Sequence, residues 1–189
     1  GDNTDPIERL FIQWGFSQVF PAKTMCAHVT TWNKNSSVKF RTDVAMMCKL
    51  GFDIKLADMS KDDETYCRTA VQNYNRLKPV VLEGDMYRLV SPYGSNHTST
   101  MYVGKDKDKA AVFAFDIHPR YAEKTLPVRL QGLDADKMYR VKEINLMPGA
   151  NSSLSGNGEV FSGEFLMNVG LNLFTAQQLN SRVIEVVAE

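Results

Sequence analysis

The sequence has no excess charge of either sign. Its 22 Lys and Arg are matched by 22 Asp and Glu, and no segment gathers a basic face. That excludes the electrostatic footprint of a nucleic-acid binder and of a protein drawn to anionic membranes. Long apolar runs are also missing: no stretch approaches the roughly 18 residues of a bilayer span. Cysteine is scarce. Cys26, Cys48 and Cys67 are odd in number and lack C-x-x-C spacing, which argues against a disulfide framework and a zinc site. They read as small buried residues. No internal repeat is present. There is no initiator Met, no signal peptide is visible, and Gly1 reads as a residue from a cloning junction. What remains is 189 residues, 43% hydrophobic. That is one large domain or two small ones, with enough apolar material for a real core.

The chain changes texture near residue 80. Before it, helices alternate with short strands. Asp5 can cap a helix that Pro6 opens, and Ile7, Leu10, Phe11 and Trp14 recur at helical spacing. Residues 25–29 read as a short buried parallel strand. A helix is expected over 42–50, stopped by Gly51, then a strand from the alternation of Phe52, Ile54 and Leu56. Ser60 opens the clearest helix, with Tyr66, Cys67, Ala70, Val71, Tyr74 and Leu77 in one stripe and Pro79 behind them. This order is the rhythm of a parallel sheet wrapped by helices, yet two strands cannot close such a sheet.

After residue 80 the sequence is strand-like throughout. Candidate strands are 80–82, 87–90, 100–103, 110–117, 128–130, 139–143, 160–162, 165–167 and 182–187, separated by turn signals. Asn157-Gly158 is the strongest hairpin signal. The charge runs at 105–109 and 61–64 read as a hairpin tip and a first helical turn. The pattern is that of an antiparallel β-sandwich.

The residues most suited to chemistry sit at the start, in Gly1-Asp2-Asn3-Thr4-Asp5. Asp5 is accounted for by capping. Asp2 falls at the C-terminal end of an expected strand, where a βα-barrel keeps its catalytic groups. A plain loop aspartate is the bland alternative. A metal role is disfavoured because no His stands near, and nothing calls for a cofactor. His28 lies inside a strand and reads as a core residue. His97 and His118 fall in the sandwich part and take no catalytic role.

The run Asp2-Asn3-Thr4-Asp5-Pro6-Ile7-Glu8-Arg9-Leu10 resembles the α-galactosidases of glycoside hydrolase family 36. So do Ile12-Gln13-Trp14-Gly15, Met25-Cys26-Ala27-His28-Val29, Phe40-Arg41-Thr42-Asp43-Val44-Ala45-Met46 and Leu50-Gly51-Phe52. Tyr74-Asn75-Arg76-Leu77-Lys78-Pro79 and Gly84-Asp85-Met86-Tyr87-Arg88-Leu89 continue it, and the segments 141–145 and 171–187 look like the family's sandwich. The resemblance implies an α/β plus all-β chain. Residues 1–80 are then a partial (β/α)8 barrel remnant, and residues 81–189 the C-terminal antiparallel β-sandwich. It implies a retaining hydrolase of α-galactosides with Asp2 as general acid/base. Gly1 stands where the family motif has Ser, and Cys26 where the family often has Gly.

A retaining mechanism needs two carboxyls about 5–5.5 Å apart, one held protonated by its neighbour's charge. Trp32 is a candidate for substrate binding, stacking on a sugar face or supplying an apolar wall. The family's Lys-Trp-Asp nucleophile motif occurs nowhere in the chain, and most of the barrel is missing. The chain alone is therefore expected to be inactive, with α-galactoside oligosaccharides as partners only of a full-length enzyme. A non-catalytic carbohydrate-binding or structural sandwich is the alternative, and a related retaining glycosidase is a further one. Open strand edges and apolar helix faces predict a homo-oligomer.

Overall fold

The computed structural model describes residues 4–31 and 35–189. Helix α1 spans Pro6–Phe16, and Asp5 caps it by accepting from the amides of Ile7 (2.8 Å) and Glu8 (3.3 Å). Strand β1 (Cys26–Thr30) follows, then α2 (Val38–Ala45), β2 (Lys49–Asp53) and α3 (Lys61–Glu83). Ser37 and Ser60 cap α2 and α3 through their hydroxyls. Strands β1 and β2 pair in parallel, with His28 opposite Gly51. This is the expected barrel remnant.

The rest is one antiparallel sheet with a covering layer on each face. Strands β3 (Asp85–Val90), β4 (His97–Val103), β5 (Lys109–Asp116), β6 (Met138–Ile144), β7 (Val160–Ser162) and β8 (Asn180–Ala188) lie in the order β3-β4-β5-β8-β6-β7. A short helix α4 (Gly163–Asn168) follows β7. Alternate residues of β5 point to opposite faces. Ala111, Phe113 and Phe115 join a core with Phe40, Val44, Tyr66 and Leu77 of the helices. Ala110, Val112 and Ala114 join a second core with Leu130, Leu154, Leu166 and Leu173. The second layer is built from extended segments and α4, tied by one bridge between Val128 and Leu171. The barrel remnant thus seals the sheet's first face, and that docking fixes the remnant's orientation.

Several local expectations need correction. Residues 80–82 are not a strand but the last turn of α3, because Val80 and Val81 are buried in the shared core. The second helix is 38–45, not 42–50, since Ser37 supplies the cap. Gly51 is therefore a strand residue and not a helix stop. Leu56 lies in a 3-10 turn beyond β2. Residues 165–167 are helical because Ser162 accepts from the Phe165 amide. Asn157-Gly158 closes no two-residue hairpin. Its Asn157 Oδ1 instead accepts from the Glu143 amide at 2.7 Å, pinning a longer loop to β6. Of the cysteines, Cys48 is buried, Cys67 is intermediate and Cys26 is exposed. Burial pushes the Cys48 thiol up to about 12.

Candidate functional site

The two site residues read from the sequence, Asp2 and Trp32, lie outside the described residues. Their near neighbours in the chain are placed. Thr4 precedes the cap of α1, and Thr30 ends β1. Both line one small cleft with Pro6, Arg9, His28 and Arg41. The cleft sits at the C-terminal end of a parallel strand and at the N-termini of two helices, where barrel chemistry is housed.

Local structure sets several of the lining side chains. Arg9 and Leu10 are on the inner face of α1, at 5% and 3% exposure. His28 lies over Gly51, which leaves room for the imidazole: a Cβ there would meet its Cδ2 at 2.1 Å. So His28 is not a sealed core residue; it forms part of the cleft wall. Arg41, on the second turn of α2, donates to the carbonyl of Thr30 and, at 3.4 Å, to that of Ser37. One guanidinium therefore ties the end of β1 to the start of α2. Burial lowers the Arg41 pKa, and the carboxylate of Asp63 acts against that shift.

Arg41 also borders a second cleft, which includes Thr31, Ile54, Lys55, Asp58 and Asp63. It forms a wall common to both. The sequence alone did not single it out. Its signal was faint: a basic residue one helical turn after a cap that follows an apolar strand. Chemically, the first cleft is lined by hydroxyls, an imidazole and two guanidinium groups, which can hydrogen-bond a hydroxyl at its mouth. No group of three or more His, Cys, Asp or Glu suited to a metal occurs among the described residues.

A roomier groove lies elsewhere among the described residues, between the end of α3 and the sheet. Arg76, Glu83, Lys105, Asp108 and Lys109 line it. Its charges are matched in pairs, Arg76 with Glu185, Lys105 with Asp85 and Lys137 with Asp108. That is the character of a solvated surface, and no residue of the parallel strands β1 and β2 lines it.

Comparison with known proteins gives two family matches. Residues 1–84 match the model described as Melibiase, and residues 97–186 match the glycosyl hydrolase family 36 C-terminal domain. The chain is 33% identical to "Alpha-galactosidase 2" of Hypocrea jecorina over 97% of its own length and 24% of that protein's. It is similar in structure to the family 36 α-galactosidase AgaA of Geobacillus stearothermophilus, solved as variants with raffinose (26% identity) and with stachyose (28%). Both superpose with a TM-score of 0.86 over 100% of this chain and 25% of AgaA. The chain therefore spans about a quarter of the length of these relatives. Because the superposition includes the whole chain, the barrel remnant sits on the sandwich as the matching segment does in AgaA.

Proposed function

The chain belongs to glycoside hydrolase family 36, and from that premise we propose that it is the C-terminal portion of a retaining α-galactosidase. Residues 1–80 supply the end of the catalytic barrel and residues 81–189 the sandwich that braces it. Asp2 acts as the general acid/base, and Trp32 contributes to the sugar site. The observation that carries this reading is the cleft shared by Thr4 and Thr30. Each stands two residues along the chain from one of the proposed site residues, which supports reading the two as parts of one site.

The chemistry divides between this chain and the rest of such an enzyme. A nucleophile carboxylate attacks the anomeric carbon while Asp2 protonates the departing oxygen. Asp2 then deprotonates the water that releases galactose. No Lys-Trp-Asp is present to supply the nucleophile, so the isolated chain hydrolyses no α-galactoside. The substrate class is terminal α-galactosides of oligosaccharides, in keeping with the raffinose and stachyose complexes of AgaA. We propose further that the isolated chain self-associates, since Ile12, Phe16, Val19 and Phe20 are exposed together around the end of α1. A free-standing carbohydrate-binding sandwich is the weaker reading, because the Melibiase match spans the barrel segment as well.

The test grafts this chain in place of the corresponding quarter of AgaA. The 189 residues alone are expected to leave raffinose and aryl α-galactosides intact, and the graft to cleave both. Asp2→Ala in the graft lowers kcat on raffinose by roughly 10²–10⁴-fold. Azide then restores turnover of the aryl substrate and yields α-galactosyl azide, the anomer expected when the acid/base and not the nucleophile is missing. Full raffinose activity in Asp2→Ala, or a β-galactosyl azide product, would refute the assignment.

A further inference from the structure

A fully buried carboxylate links the sandwich to the barrel remnant. Asp43, on α2, is 0% exposed. Its Oδ1 accepts from the Tyr66 hydroxyl of α3 at 2.8 Å and from the Asn145 amide, just beyond β6, at 3.0 Å. Its Oδ2 accepts from the Ser181 hydroxyl of β8 at 2.7 Å and from Lys39 Nζ, one turn earlier on α2, at 2.5 Å. Four donors thus converge on one side chain, from α3, from β8, from the residue after β6 and from α2 itself. Asn145 is itself held for this contact, in a left-handed backbone (φ 59°), with its Oδ1 accepting from Asn73 of α3 at 2.6 Å. A fully satisfied polar cluster of this kind fixes geometry more sharply than apolar packing, because each bond has a preferred direction and losing one strands a buried group.

The same helix carries Arg41, whose guanidinium holds the carbonyls of Thr30 and Ser37 and forms the wall between the two clefts. A chain of contacts therefore runs from Ser181 and Asn145 of the sandwich, through Asp43, along α2 to Arg41, and so to the end of β1. We infer that Asp43 is a positioning residue: it lets the sandwich set the position of Arg41 and Thr30 at the sugar site. The inference rests on reading that cleft as part of the α-galactoside site. It assigns the sandwich a part in substrate recognition without any contact to substrate.

Two measurements on Asp43→Asn separate positioning from mere support. In the 189-residue chain, the Arg41 Nε–H resonance is expected to broaden and shift. That of Arg88, which donates to Ser17 Oγ at 2.9 Å at the C-terminal end of α1, stays in place. In the AgaA graft, kcat/KM for raffinose is expected to fall about tenfold, with most of the loss in KM. If Asp43→Asn fails to fold, Ser181→Ala removes one donor only and should give the same pattern at smaller size. An unmoved Arg41 signal with unchanged KM overturns the inference, even if the urea midpoint falls. Asp2→Ala in the same graft reports separately on the site: if it keeps full activity, the acid/base reading fails whatever Asp43 does.

Discussion

Gly51 and His28 show how one residue's lack of a side chain shapes the cleft. They are directly opposite in the parallel ladder, and the imidazole occupies the volume that a Cβ at residue 51 would need. Gly51 does not adopt a left-handed backbone, so its role is space, not backbone freedom. Gly51→Ala should force the imidazole to turn out of the cleft and cost about 1–3 kcal/mol. Urea unfolding reads the cost, and the His28 ring resonances read the movement. An unmoved imidazole at unchanged midpoint would contradict this account. The residue was visible in the sequence, but its role was not, because Gly after a helical pattern looks the same as a cap. Asp5 was the opposite case. Its capping role depends only on residues two and three positions ahead, so the sequence was sufficient.

At the scale of elements, α3 is the clearest departure from local rules. Pro79 removes a helical N–H, and the residue reads as a stop. The helix continues to Glu83 because Leu77, Val80 and Val81 sit in the shared core at 0%, 8% and 1% exposure. The carbonyl that a residue-79 N–H would engage, four residues back, belongs to Asn75, an exposed residue. Replacing Pro79 by Ala restores one backbone bond and removes the ring's clash. It also gives up some rigidity of the unfolded chain. The net expectation is a gain of about 2 kcal/mol, read as a higher urea midpoint with unchanged slope. A lower midpoint would mean that a bend at Pro79 is needed to seat Val80 and Val81. The helix α4 was missed for a related reason. Phe165–Met167 is apolar enough for a strand, and only the Ser162 hydroxyl decides for a helix.

For the whole molecule, the balance lies between a well-sealed interface and an open one. The inner faces of α2 and α3 are buried on the sheet. The outer face of α1 and the chain after it are not: Val19 is 74% exposed, with Ile12, Phe16 and Phe20 at 45%, 42% and 48%. Phe16 and Phe20 stack on each other there, 4.6 Å between ring centroids. A contiguous apolar surface of this kind favours association. Light scattering on the isolated chain should show a mass above one copy that depends on concentration. The double substitution Ile12→Lys, Phe16→Glu should return it to a monomer with little change in the unfolding midpoint. A wild-type chain that stays monomeric at high concentration would remove the proposal. By itself the sequence determined the alternation of helices and strands, the antiparallel second half, the caps at Asp5 and Ser60 and the family. Each of these is written in contacts between near neighbours along the chain or in a contiguous motif. The tertiary structure alone decided that α3 runs past its proline, that Gly51 makes room for His28, and that Asp43 meets Asn145 and Ser181. Those outcomes depend on groups brought together across the fold, on neighbouring strands for His28 and Gly51 and about 100 residues apart or more for Asp43 and its partners, or on burial that outweighs local preference, and no local pattern records these.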